Sequence, residues 1–319
     1  MKTGTVCLIG GSGFVGRHLA AQLSSAGWCV RIPTRHPERQ RELRVLPGVQ
    51  LSAADIFDAH TLRELCRDCA AAINLVGILN EKGHDGRGFQ RAHVELTEKL
   101  IAACRDEGVP RLLHMSALNA DARETHSHYL RSKGMAADLA HAAAMQGLCV
   151  TSFQPSVIFG PGDSFFNRFA ALLKVIPVAF PLACPAALFA PVYVGDVAAV
   201  FVKALTTPAT IGQRYSLCGP TRYTLRQLVE YTARTLGLRR HIIGLSPGLS
   251  SLQSRGFEYL PGKPFSRDNY WSLQKDSLCT TAFPAVFGIT PTSIETIVPG
   301  YLANRNQRSR YDDFRKMKV

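Results

Sequence analysis

Gly10-Gly11-Ser12-Gly13-Phe14-Val15-Gly16 stands between an apolar run at residues 5–9 and a segment of helical periodicity at 14–26. Glycine spacing alone is a weak signal; the strand–turn–helix setting gives it meaning. Gly10 allows a tight turn, Gly13 lets the backbone approach a pyrophosphate, and Gly16 lets helix and strand pack closely. Ser12, Phe14 and Val15 sit where the opening helix offers free N–H groups and the positive end of its dipole to phosphate. The stretch predicts a dinucleotide site, against the blander reading of a glycine-rich turn with no ligand.

Outward from this stretch, short apolar runs alternate with helical patterns, as in β-α units on a parallel sheet. Further strands are expected at 29–33, 49–52, 71–76, 111–115 and 149–154, with long helices at 89–105 and 127–145. Right-handed crossovers wind this order into an α/β fold of the Rossmann type, a doubly wound parallel sheet with helices on both faces. After Gly160 prolines become frequent and the segments less regular, although 194–205 and 225–236 keep helical patterns and 215–217 reads as a strand. The expectation is a dinucleotide-binding domain over 1–160, to which 191–218 returns. A smaller interleaved C-terminal lobe, 161–319, then lies on the substrate side and ends in a basic tail.

The second strand bears on the choice of cofactor. An NAD site usually places an acid about 20 residues past the glycines, to hold the ribose hydroxyls. No acid occurs between Gly16 and Glu38, and Arg35 stands near the expected place with Arg31 and His36 close by. A guanidinium pairs bidentately with a 2′-phosphate, so the expected cofactor is NADP(H). Asp55, with Ile56, follows the third strand, where it either accepts from the adenine amino group or caps the helix starting near Asp58. Leu75, Val76 and Gly77 end the fourth strand at the carboxyl edge, where ligands bind in such sheets.

Tyr129 and Lys133 are four apart on an expected helix and so share a face, while Ser116 ends the fifth strand at the same edge. An ammonium beside a phenol lowers its pKa and fits Tyr129 for proton transfer to a substrate oxygen. Ser116 is placed to hydrogen-bond that oxygen, and Tyr129 and Lys133 also to contact the cofactor, Lys133 at the nicotinamide ribose. By chance alone a Y-x-x-x-K pair is common; after a dinucleotide fold and a strand-ending serine it is far more specific. His93 reads as a helix-packing residue.

Composition removes several classes. With 46% hydrophobic residues the chain supports a sizeable core. The apolar stretch 175–191 is broken by Pro177, Pro181, Pro185 and Pro191, so it does not read as a membrane span. It lines a greasy pocket or simply packs in the lobe. Glycines interrupt the apolar N-terminus where a signal peptide would continue, and a cytoplasmic protein is expected. Nine scattered cysteines favour a reducing compartment over a disulfide framework, and Cys66 and Cys69 read as two helix residues rather than a metal or redox site. A net charge of +13 attracts anions without choosing among them. Part of it sits in the tail, where Arg305, Arg308, Arg310, Arg315, Lys316 and Lys318 outnumber Asp312 and Asp313. The tail reads as a solvated terminus, or as a docking segment for a membrane surface or acidic partner; no specific nucleic-acid binding is expected.

Together the stretches Gly10 to Gly16, Ser116-Ala117-Leu118, Tyr129-Leu130-Arg131-Ser132-Lys133-Gly134 and Pro155-Ser156-Val157-Ile158-Phe159-Gly160-Pro161-Gly162-Asp163 resemble the short-chain dehydrogenase/reductase superfamily in its extended or atypical branch. Pro191-Val192-Tyr193-Val194-Gly195-Asp196-Val197-Ala198 and Pro261-Gly262-Lys263-Pro264 add to the likeness. The chain is most similar to the atypical family around the NADPH-binding accessory subunit of respiratory complex I (alpha subcomplex subunit nine) and its bacterial relatives. This resemblance implies a bound NADP(H), with Pro155 and Val157 among its contacts, and contact with a respiratory complex or the inner membrane. It implies no particular substrate. Gln154 stands where relatives often carry arginine, and 182–190 is more apolar than the glycine-containing loop expected there. Both departures weigh against an anionic sugar-nucleotide substrate. Three functions follow: an NADP(H)-dependent oxidoreductase acting on an apolar carbonyl or alcohol, a non-catalytic accessory or assembly factor stabilised by its cofactor, and a nucleotide-sugar epimerase or dehydratase.

Overall fold

The computed structural model describes residues 4–259, 263 and 265–303. β1 (Thr5–Ile9) turns at Gly10 into α1 (Phe14–Ser25), followed by β2 (Cys29–Thr34), α2 (Arg41–Arg44), β3 (Val49–Ala53), α3 (Ala59–Cys66) and β4 (Ala71–Asn74). α4 (Arg87–Phe89) passes through a π-helical turn, Gln90–Glu95, into α5 (Leu96–Asp106). β5 (Arg111–Met115), α6 (His128–Ala142), β6 (Cys149–Pro155), β7 (Ile158–Phe159), α7 (Phe166–Val175), β8 (Ala179–Leu182), β9 (Leu188–Phe189) and β10 (Val192–Tyr193) come next. They are followed by α8 (Val194–Thr206), β11 (Arg214–Leu217), β12 (Tyr223–Thr224), α9 (Leu225–Thr235) and β13 (His241–Gly244). α10 (Pro247–Phe257), α11 (Arg267–Ser272) and α12 (Ile294–Leu302) end the described chain.

Seven strands form one sheet in the order β11-β6-β5-β4-β1-β2-β3. Every neighbouring pair in it is parallel, as the β-α alternation predicts. The chain leaves the sheet at β3 and returns at β4 on the other side of β1. That reversal creates a switch point at the carboxyl ends of β1 and β4, where ligands bind in this architecture.

Two compact units divide the molecule. The first holds the chain through Pro155, Gly195–Leu217 and Thr281–Ile289; the second holds Ser156–Val194, Cys218–Thr280 and the chain from Thr290. On one face of the large sheet, Cys7, Ile9, Leu62, Leu96, Leu100, Leu112 and Val150 share an apolar cluster. The second unit has its own cluster, with Phe159, Phe166, Phe180, Leu182, Phe189, Leu228 and Ile294. The apolar stretch 175–191 therefore contributes to packing through Phe180, Leu182 and Phe189.

Several local expectations change. The helix over 89–105 is not uniform, because its start widens into the π-helical turn that carries His93. Cys66 ends α3 and Cys69 lies beyond it, since Asp68 between them takes a left-handed φ of 57° and stops the helix. Seven cysteines are free, but Cys218 and Cys279 form a disulfide. Their separation of 61 residues leaves no local trace in the sequence. Among the described residues no helix is long and apolar enough to cross a membrane. The basic tail and most of 261–264 lie outside the described residues.

Candidate active site

The glycine stretch folds as its spacing requires. Gly10 has φ 83°, and a Cβ there would stand 3.2 Å from the Val76 nitrogen, so the β1 turn lies close against the end of β4. A Cβ on Gly16 would run into the Gly10 carbonyl and the backbone of Gly11. These are backbone atoms that cannot swing aside, so α1 can sit on β1 only with glycine at position 16. Gly13 caps α1 without a side-chain bond, and the first turn carries no acid. The free N–H groups and the dipole end thus suit a pyrophosphate.

The two arginines on and after β2 do different things. Arg31 Nη1 donates to the carbonyls of Leu65 at 2.7 Å, Arg67 at 3.0 Å and Glu64 at 3.3 Å, closing the C-terminal end of α3. It is committed to that helix and does not stand beside Arg35 as its place in the sequence suggests. Arg35 follows β2 directly, is exposed, and makes no ion pair or hydrogen bond among the described residues. Asp55 Oδ1 accepts from the Phe57 nitrogen at 3.0 Å, whereas the cap of α3 is Asp58, which accepts from the Thr61 nitrogen at 2.8 Å. Of the two roles weighed for Asp55, helix capping belongs to its neighbour. Ile56 packs against the sheet's apolar cluster. Replacing Arg31 by methionine is expected to lower stability by about 1.5–3 kcal/mol, the scale of charged hydrogen bonds lost from a helix end, with NADPH affinity unchanged. Urea unfolding and a binding titration check both halves.

At the other end of the crevice, Ser127 caps α6 by accepting from the Leu130 nitrogen and so sets where Tyr129 and Lys133 emerge. Lys133 is 3% exposed. Its Nζ donates to the carbonyls of Val76 and Met115, each at 3.0 Å, and so bridges the ends of β4 and β5. An ammonium has three donors, and these bonds use two. Burial pushes the Lys133 pKa down to about 8. Gly77 leaves room for this group, since a Cβ there would sit 3.0 Å from Nζ. Gly134 lets α6 close on the loop after β5, because a Cβ would strike the backbone of Asp121 and Ala122. Ser116 is buried just past β5, with its nitrogen donating to the Phe153 carbonyl and its Oγ to the Lys133 carbonyl at 3.4 Å. Tyr129 is half-buried, its ring edge-on to Phe89 at 6.1 Å and to His93 at 5.7 Å.

His93 has more than a packing place. Its Nε2 accepts from the Ile78 nitrogen at 3.1 Å, so the ring proton lies on Nδ1 and is donated to Ser132 Oγ at 2.8 Å. Ser132 Oγ in turn donates to the Tyr129 carbonyl at 3.0 Å. Burial first, and then the Lys133 charge, push the His93 pKa down to about 2, which keeps the ring neutral. The ring ties the chain after β4 to the first turn of α6. Its partners lie 15 and 39 residues away, so sequence periodicity carried no sign of them. Pro155 ends β6 and its carbonyl accepts from the Leu118 nitrogen; Val157 belongs to the second unit, where its carbonyl accepts from the Val192 nitrogen.

A parallel sheet with a glycine turn at its switch point has the architecture of a dinucleotide-binding α/β protein. Residues 6–218 match the model of the NAD dependent epimerase/dehydratase family, and the chain belongs to that family. Alpha subcomplex subunit 9 of mouse mitochondrial NADH dehydrogenase [ubiquinone] 1 is 29% identical over 70% of this chain and 59% of its own length. A ceramide reductase of Caulobacter vibrioides is 29% identical over 77% of this chain and 75% of its own. The UDP-glucose 4-epimerase of Thermus thermophilus in complex with NAD superposes with a TM-score of 0.65 at 21% identity, covering 84% of this chain and 99% of that one, a likeness of fold. The chain spans less than two thirds of the mouse subunit. The resemblance read from the motifs is borne out at the level of family and relatives.

Proposed function

We propose that this protein is an NADP(H)-dependent oxidoreductase acting on an apolar carbonyl or the corresponding alcohol. The observation that carries the reading is Lys133, buried at the strand ends with a pKa pushed down to about 8 and placed one turn from Tyr129. A nicotinamide dinucleotide bound at the glycine turn supplies or accepts the hydride. Tyr129 passes a proton to or from the substrate oxygen, helped by the Lys133 ammonium, since a phenol with its ordinary pKa near 10 is a poor acid–base group at neutral pH. Ser116 hydrogen-bonds the same oxygen, and the third donor of Lys133, unused among the described residues, serves the nicotinamide ribose. Gly10, Ser12, Gly13, Phe14, Val15 and Gly16 hold the pyrophosphate, Asp55 and Ile56 the adenine side, and Leu75, Val76, Gly77 and Pro155 the nicotinamide side. Similarity to a ceramide reductase supports an apolar substrate. In this reading the protein works in the cytoplasm, peripheral to the inner membrane.

The preference for NADP(H) rests on Arg35, whose guanidinium makes no ion pair or hydrogen bond among the described residues and follows a strand with no acid at its end. Arg35→Ala is expected to weaken NADPH binding by about ten- to hundredfold, the scale of a charged bidentate contact, and to leave NADH binding unchanged. Equal losses for the two dinucleotides overturn the assignment.

Similarity to subunit 9 of the mouse respiratory complex supports a second reading, an accessory or assembly factor stabilised by its cofactor. Native mass spectrometry separates the two. Nearly full occupancy by NADP(H) with no turnover on any carbonyl tested favours the accessory role. Weak, exchangeable NADPH with turnover favours the enzyme.

A further inference from the structure

α10 is built inside out. Ser250 and Ser254 are each 1% exposed, and Glu258, just past the helix, is 7% exposed. A spacing of four marks one helix face, and here it is the inward one. The inward polar groups are satisfied: Ser250 Oγ accepts from the Cys184 nitrogen at 3.2 Å, Ser254 Oγ donates to the Ser251 carbonyl at 2.7 Å, and Glu258 pairs with Arg267 at 2.6 Å. The opposite face carries Leu249 and Leu252, 52% and 64% exposed, and Tyr259, 80% exposed, continues its line. A surface helix ordinarily turns its apolar stripe to the core. α11 packs against α10 and exposes Trp271 at 41%.

The segment around it is basic in sequence. Between 237 and 276 the chain carries Arg239, Arg240, Arg255, Lys263, Arg267 and Lys275 against Glu258, Asp268 and Asp276, and Glu258 and Arg267 neutralise each other. Exposed leucines with tyrosine and tryptophan among arginines and lysines are the composition of a helix lying in a bilayer interface.

We propose that this outward face of α10 docks on an anionic lipid bilayer, with the leucines and aromatic rings entering the interface and the basic residues meeting the headgroups. Charge selects this occupant. The basic tail and a second copy of the chain bear the same sign and are repelled, whereas anionic lipid attracts each basic residue near its surface. The proposal does not depend on the catalytic assignment.

Flotation of the full chain tests it, using vesicles of phosphatidylcholine alone and vesicles containing phosphatidylglycerol. The protein is expected to float with the anionic vesicles, less so as salt rises. Leu249→Asp with Leu252→Asp is expected to cut the bound fraction by about tenfold or more, since it removes two apolar anchors and sets two negative charges against the anionic surface. Both side chains face solvent, so thermal unfolding and dinucleotide binding stay as in the parent. Absence from anionic vesicles overturns the proposal. So does undiminished flotation of the double variant, which assigns docking to another segment, or capture by an acidic protein in place of the vesicles.

Discussion

Tyr129→Phe is expected to reduce turnover by about two to four orders of magnitude, the usual contribution of a positioned acid–base group. Phenylalanine preserves the ring that meets Phe89 and His93, so packing at the start of α6 survives and only the hydroxyl is lost. The fold and dinucleotide binding are therefore expected to persist. Lys133 makes a poorer test, because removing it also strips the Val76 and Met115 carbonyls of their donor. The measurement is NADPH oxidation with a panel of long-chain ketones and aldehydes, alongside calorimetry for the cofactor. Parent-level activity in the variant would remove Tyr129 from the chemistry.

The parts of this molecule that were legible in its sequence are those decided locally. The glycine stretch fixes a turn because Gly10 needs a positive φ and Gly16 has no space for a Cβ, and both demands lie within one short segment. Strands covered on both faces read as continuous apolar runs, and the turn residues between them give their order. The helix read over 127–145 put Tyr129 and Lys133 on one face by their spacing of four, and α6 starts within a residue of that reading, at His128, with Ser127 as its cap.

What stayed hidden depends on distant contacts. In a sheet covered on both sides, the apolar pattern does not say which helix a polar side chain will meet. Arg31 and Arg35 therefore look equivalent, until Arg31 is found capping α3 some 34 residues away. His93 looked like packing for the same reason. α10 inverts the rule used to read helices, since its serines face in and its leucines face out. A segment written Pro-Gly-Leu-Ser-Ser-Leu-Gln-Ser then passes for irregular chain. The disulfide needs the fold before its two cysteines become neighbours.

Acidification is expected to cost this protein about 4 kcal/mol of stability by about pH 5 through two buried histidines alone. His93 and His114 have pKa values pushed down to about 2 and about 3, in both cases first by burial and then by the Lys133 charge. For His93 the ring of His114 adds to this; for His114, His141 and Arg214 do. The sign follows from where the protons go. Below the ordinary histidine value near 6.5 the unfolded chain binds protons that the folded chain refuses, so falling pH draws the equilibrium toward unfolding. The stabilisation is fully present above that value and declines below it, by up to about 1.4 kcal/mol per pH unit for each group. A loss of this size is a large part of the roughly 5–15 kcal/mol that a folded domain commands. Urea unfolding followed from neutral pH to about 5 measures it. Carboxylates also contribute to acid sensitivity, so the discriminating comparison is His114→Leu. His114 is 1% exposed on β5, and neither ring nitrogen has a hydrogen-bond partner among the described residues, so leucine forfeits no such bond. The variant should lose its own share of the histidine-driven pH dependence between 6.5 and 5, about 2 kcal/mol, and keep its stability at neutral pH; His93, and the half-buried His141 with its pKa pushed down to about 4, supply the rest. An unchanged slope would show that His114 takes up no more protons on unfolding than it holds when folded.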